Sequence, residues 1–131
     1  MKLSPLYPII DTETLRTHGV AVAEFARELR DAGVTLVQYR DKVGGPQEIL
    51  RVAAEISAVF EGSGATLVLN DRADLAVLAG WGVHVGQGDL SPGDAKAVVL
   101  RTIPTLATME PSRRWGTRFC GGSYVILTDK M

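Results

Sequence analysis

Gln38, Arg40 and Lys42 are the residues whose types and spacing point most directly to chemistry. They follow the apolar run Val34-Thr-Leu-Val37 at intervals of two, and on a strand residues i, i+2 and i+4 share one face. An amide and two cations on one face, with Val37 and Tyr39 on the other, are costly to bury without an anion. A phosphate or diphosphate meets that need: arginine offers a bidentate fork, lysine a point charge, and glutamine an orienting amide. A structural ion pair with an Asp or Glu from a neighbouring element meets it equally well. Spacing alone leaves the two readings open.

A second group is acidic. Asn70-Asp71 closes the apolar run Ala65–Leu69, and Asp89 follows the run Gly82-Val-His-Val-Gly86. Either residue of the first pair can simply cap the helix expected from about Arg72, and Asp89 can serve its turn. Taken together, two carboxylates on successive loops suit magnesium, which takes one or two carboxylates and completes its shell with substrate phosphate and water. The expectation is that Arg40 and Lys42, with Asp71 and Asp89, gather around one diphosphate–metal cluster. His84 lies inside a strand between two glycines and is expected to be a core histidine. His18 and Cys120 carry no signal of their own.

The elements that must position these groups alternate along the first hundred residues. Leu6–Ile10 reads as a short strand ending at Asp11, weakened by Pro8, which cannot donate to a ladder. Thr12–Gly19 shows no periodicity and is expected to be a loop. Val22, Phe25, Ala26 and Leu29 recur at helical spacing, and Gly33 suits the left-handed position after a helix end. Strand Val34–Arg40 follows. Gly44-Gly45-Pro46 then opens a helix whose apolar stripe is Ile49, Val52, Ala53, Ile56, Val59 and Phe60. Next come strand Ala65–Leu69, a short helix around Leu75–Ala79 stopped by Gly80, and strand Gly82–Gly86. Ser91-Pro92 begins a fourth helix. Four βα repeats with near-continuously apolar strands predict an α/β fold with a parallel sheet covered on both faces. In such folds ligands bind at the carboxyl ends of strands, where all the polar groups above are placed. No Gly-x-Gly-x-x-Gly or Walker sequence is present, which argues against a dinucleotide site or a P-loop.

Composition narrows the classes. The 131-residue chain has a net charge of −1, which gives no reason to expect nucleic acid or an anionic membrane as partner. Met1-Lys-Leu-Ser-Pro is followed by no long apolar core, and no run approaches the ~20 residues of a membrane span. The single Cys120 forms no intrachain disulfide. The expected setting is the cytoplasm. Charge is unevenly placed: Arg101, Arg113, Arg114, Arg118 and Lys130 face only Glu110 and Asp129, so residues 101–131 are basic and residues 1–100 acidic. The change of pattern near Leu100 suggests a domain at 1–100 and a divergent tail at 101–131. In that tail 109–118 reads as polar loop or disorder, and Gly121–Leu127 as one strand.

Leu6-Tyr-Pro-Ile-Ile-Asp11, Gln38-Tyr-Arg-Asp-Lys42, Asn70-Asp-Arg-Ala-Asp-Leu-Ala76 and Gly82-Val-His-Val-Gly-Gln-Gly-Asp-Leu-Ser91 together resemble the thiamine-phosphate synthase family, in order and interval. The resemblance spans roughly residues 5–99. It implies a partial TIM (β/α)8 barrel of about four βα units with a non-matching C-terminal tail, since a full barrel needs at least ~200 residues. It implies a transferase of thiamine biosynthesis that joins a hydroxymethylpyrimidine diphosphate to a thiazole phosphate, with Mg2+ as cofactor. Gln38, Arg40, Lys42 and Asn70 then resemble the family's pyrimidine-diphosphate contacts, and Asp71 and Asp89 its magnesium ligands. Two other readings accompany it. One is a truncated, non-catalytic half-barrel that self-associates through an open fourth-strand edge and an uncovered first strand, making a homo-oligomer. The other is a thiazole tautomerase relative on the same barrel, against which the Gln38/Arg40/Lys42 and Asn70-Asp71 sets speak.

Overall fold

In the computed structural model of the chain, residues 6–85, 94, 118–120 and 124–128 are described. The fold is α/β, with four parallel strands alternating with helices as the sequence predicts. The chain divides into two compact units, residues 1–67 and 68–131.

In the first unit, β1 (Ile9–Asp11) leads directly into α1 (Thr12–Thr17), then α2 (Val22–Asp31), β2 (Leu36–Arg40) and α3 (Pro46–Phe60). Strands β1 and β2 pair in parallel, with Ile9 opposite Gln38 and Asp11 opposite Arg40. The expected loop at 12–19 is therefore a helix for its first six residues. Leu15 is its one buried residue, which is why no apolar period announces it. Its signals are electrostatic: Glu13 in the first turn and Arg16 in the last complement the helix dipole. Helix α3 packs against α2 and buries Ile49, Val52, Ala53, Ile56 and Phe60. Burial of each large member contributes about 1.5–3 kcal/mol. Proline at its first turn and Gly33 at φ +78 after α2 take the roles expected of them. The amide of Thr66 donates to the Thr35 carbonyl at 2.8 Å, so pairing continues beyond β2 within this unit.

The second unit contains the body of β3 (Thr66–Asn70), then α4 (Ala73–Ala79) and β4 (Gly82–Val85), with β3 and β4 parallel and Asn70 opposite His84. Gly80 ends α4 at φ +73. The second unit's core holds Val68, Leu69, Ala73, Leu75, Ala76, Trp81, Val83 and Val85. Within the tail, β5 (Arg118–Cys120) and β6 (Tyr124–Thr128) are strands. β6 pairs in parallel with β4, Val83 opposite Ile126, and β5 runs antiparallel to β6. The free fourth-strand edge that motivated self-association is thus covered by the chain's own β6. Of the helix expected from Ser91 only Asp94 is described, and it is helical; the segment 109–117 lies outside the described residues.

Candidate functional site

In the first unit the site is built at the carboxyl end of β2. Gln38 is 2% exposed. Its amide is used: the side-chain nitrogen donates to the Tyr7 hydroxyl at 3.0 Å, and its backbone N–H donates to the Pro8 carbonyl at 3.0 Å. Arg40 is the next residue on the same face and is partly exposed. Its Nη1 donates to Asp11 Oδ2 at 3.2 Å, and the Thr14 hydroxyl donates to that same carboxylate oxygen at 3.0 Å. Both readings left open by spacing are therefore in play: Arg40 has a carboxylate partner from β1, while its side chain keeps 36% exposure. A guanidinium has five donors, so one bond to Asp11 leaves a fork capable of taking an anion.

Beyond Arg40 the strand geometry stops, and the reason is Asp41. Its Oδ1 accepts the amides of Val43 at 3.0 Å and Gly44 at 2.7 Å, the pattern of an Asx turn. Tyr39, fully buried on the opposite face, donates its hydroxyl to Asp41 Oδ2 at 3.3 Å. Burial, and then the Asp41 charge, pushes the Tyr39 hydroxyl well above its ordinary range, so it remains a donor. Burial pushes the Asp41 carboxyl up, but the Gly44 and Val43 amides and the Tyr39 hydroxyl together hold it below the usual carboxylate range. The turn is close: a Cβ added at Gly44 would run into the Asp41 carboxylate. Lys42 consequently lies on a bend after the strand and is exposed. Strand alternation, the basis for grouping it with Gln38 and Arg40, does not extend to it.

In the second unit the corresponding strand end is made by backbone. Asp71 adopts φ +68, the only left-handed non-glycine among the described residues. Such a conformation costs roughly 1–2 kcal/mol for an ordinary L residue and is tolerated best by Asn and Asp. It is pinned by neighbours: the Asp71 amide donates to the His84 carbonyl at 2.6 Å, and the Ala73 amide donates to the Asp71 carbonyl at 3.0 Å. The helix-cap position of α4 falls to Arg72, whose side chain makes no capping bond. The capping explanation for Asn70 and Asp71 therefore loses its position. His84 is buried, as expected of a core histidine. Asp89 lies outside the described residues.

The Asp71 carboxylate is an oxygen donor of the kind a hard cation takes, and the pinned left-handed backbone fixes where it begins. Among the described residues no three His, Cys, Asp or Glu side chains come together as a metal cluster. Magnesium needs only one or two carboxylates, and a single one such as that of Asp71 is compatible with that ion. Among the described residues, too, no helix is long and apolar enough to cross a membrane.

Sequence reasoning misses Tyr7, which holds Gln38, and it marks Asp11 only as a polar strand end, without the bond to Arg40. Asp41 was seen only as the residue between two cations; the Asp-x-x-Gly spacing to Gly44 was the available signal.

A model of the thiamine monophosphate synthase family matches residues 6–104. The thiamine-phosphate synthase of Koribacter versatilis (strain Ellin345) is 48% identical over 102 residues, covering 76% of this chain and 48% of that protein. The thiamine-phosphate synthase of Methanoregula boonei is 39% identical over 84 residues, 63% of this chain and 39% of that protein. Among solved structures, a thiamine phosphate pyrophosphorylase from Pyrococcus furiosus aligns with a TM-score of 0.62 at 25% identity, over 70% of this chain and 44% of that one. The chain thus spans about half the length, or less, of the relatives it matches.

Proposed function

The chain belongs to the thiamine monophosphate synthase family, and on that premise we propose that it takes part in joining a pyrimidine diphosphate to a thiazole phosphate, releasing pyrophosphate. In the proposed reaction the bond from the pyrimidine methylene carbon to the diphosphate oxygen breaks first, and the oxygen keeps the electron pair. The thiazole nitrogen then donates its lone pair to the carbocation, forming the new C–N bond. The protein's task is mainly electrostatic, holding charge where it develops on the leaving group. Arg40 is assigned the bidentate hold on the diphosphate, Lys42 a mobile point charge, and Gln38 and Asn70 the orientation of that substrate. Asp71 and Asp89 are assigned to hold Mg2+. When bound, that ion neutralises the diphosphate and makes it a better leaving group. The cytoplasm is the proposed setting.

The observation that supports this most is Gln38 and Arg40 at the carboxyl end of β2, each held by a β1-side partner, inside the family-matched segment. The test is binding of the pyrimidine diphosphate by the full chain with magnesium, followed by thiamine phosphate formation when thiazole phosphate is added. Tight binding that is lost in Arg40→Ala and in Asp71→Ala supports the reading. Unchanged affinity in both variants overturns it.

A further inference from the structure

Asp11 poses an electrostatic problem for any anion site at Arg40. It carries a carboxylate into contact with the very guanidinium assigned to the diphosphate, 3.2 Å from Nη1. A like charge so close opposes anion binding by simple Coulomb repulsion. Yet the arrangement is built rather than incidental. Parallel register sets Asp11 directly across from Arg40. Thr14, one turn into α1, donates to the same Oδ2 that Arg40 uses, at 3.0 Å, which fixes the carboxylate as well. Gln38, two residues earlier on β2, is held in the same manner by the Tyr7 hydroxyl. The segment Tyr7–Thr14 therefore fastens both side chains of the grip.

We propose that Asp11 is a positioning residue: it locks Arg40 in one rotamer through a single Nη1 bond and leaves the rest of the guanidinium fork preorganised for a diphosphate. The inference rests on the assignment of Arg40 to that anion. A free arginine side chain samples many rotamers, and fixing it before the ligand arrives removes that ordering cost from binding. As a merely structural ion pair, Asp11 would affect folding stability and leave anion affinity to Coulomb's law alone.

The two roles predict opposite signs. Affinity of the full chain for inorganic pyrophosphate, with magnesium present, is measured calorimetrically for the wild type, Asp11→Ala, Asp11→Asn, Thr14→Val and Arg40→Ala, with thermal melts alongside. Positioning predicts that Asp11→Ala weakens binding about three- to tenfold, the loss expected when one long side chain must be ordered by the ligand. Asp11→Asn keeps an oxygen acceptor for Arg40 without the charge, and restores wild-type affinity or exceeds it. Thr14→Val, which keeps the carboxylate and loses only its anchor, weakens binding in the same direction by less, and carries the test should Asp11→Ala fail to fold. Tighter or unchanged binding in Asp11→Ala, or in Thr14→Val if that variant must stand in, overturns the proposal. An Asp11→Asn variant as weak as Asp11→Ala overturns it too. If Arg40→Ala itself binds pyrophosphate like the wild type, the assignment of Arg40 fails, and the positioning role fails with it; normal Arg40 dependence with no Asp11 effect refutes the positioning role alone.

Discussion

The ends of β2 and β3 are two answers to one requirement, the display of a charged side chain at the carboxyl end of a parallel strand. At β2 the backbone stays regular through Arg40, and side chains from the preceding segment do the fixing: Tyr7 on Gln38, and Asp11, itself held by Thr14, on Arg40. At β3 the backbone itself is bent into an unusual conformation, with Asp71 at φ +68 and its amide held by the His84 carbonyl. A long flexible cation needs its rotamers restricted, which only side-chain partners can do. A short carboxylate has almost no reach, so its Cα must be placed by the main chain. The difference teaches where each end is vulnerable: β2 to the loss of a partner, β3 to a change in what the backbone tolerates.

The largest effect expected is Arg40→Ala, which removes charge-assisted bonds worth about 2–3 kcal/mol and should weaken diphosphate binding roughly 30- to 150-fold. Lys42→Ala, at an exposed position outside the strand, should cost about 1 kcal/mol or less. Equal losses in the two variants, read by calorimetry, would erase the distinction between a positioned fork and a mobile point charge. At the turn beyond β2, Gly44→Ala should destabilise the fold by about 1–3 kcal/mol in urea melts, because the new methyl displaces an anchored carboxylate. A neutral result would mean that Asp41 does not shape the strand end.

For β3 the comparison is sharpened by two substitutions at one position. Asp71→Asn keeps a residue that tolerates the left-handed region and should leave the melting midpoint nearly unchanged, while Asp71→Ala should cost about 1 kcal/mol. Both should lose magnesium dependence of ligand binding. Identical stabilities for Asn and Ala would show that the backbone there is not under constraint. The smallest effect is acidic. The Asp41 carboxyl titrates below its usual value of 3.8 in the folded chain, so its bonds contribute stability above that pH. The contribution fades as pH falls through the lower folded value. Asp41→Asn should lower stability at neutral pH and flatten its fall below about pH 4, where the two proteins converge, as circular dichroism melts across that range would report.

These local constructions explain what was readable from sequence. Strand alternation placed Gln38 and Arg40 on one face because that rule needs only the backbone of one strand. It failed at Lys42 because the Asp41 turn, a side-chain-to-backbone interaction, cancels the alternation. Helix α3 was evident from Ile49 to Phe60, since its buried stripe repeats over 15 residues. Helix α1 was not, since Leu15 alone gives no period. The Asp11–Arg40 pair depends on the parallel register of two strands separated by α1 and α2, which no local pattern encodes. The positive φ of Asp71 is equally silent in sequence, although an Asn-Asp pair is where such a conformation is cheapest. In the tail, Tyr124–Thr128 was legible from its β-branched and aromatic run, whereas three-residue β5 is too short to carry a pattern.

The central claim is that the end of β2 is a preorganised diphosphate grip centred on Arg40. Its most direct test is the calorimetric affinity of the full chain for the pyrimidine diphosphate with magnesium, wild type against Arg40→Ala. Saturable binding by the wild type that falls at least thirtyfold in the variant is the predicted result, the lower bound of the charge-assisted bonds removed. Equal affinity in the two proteins would contradict it.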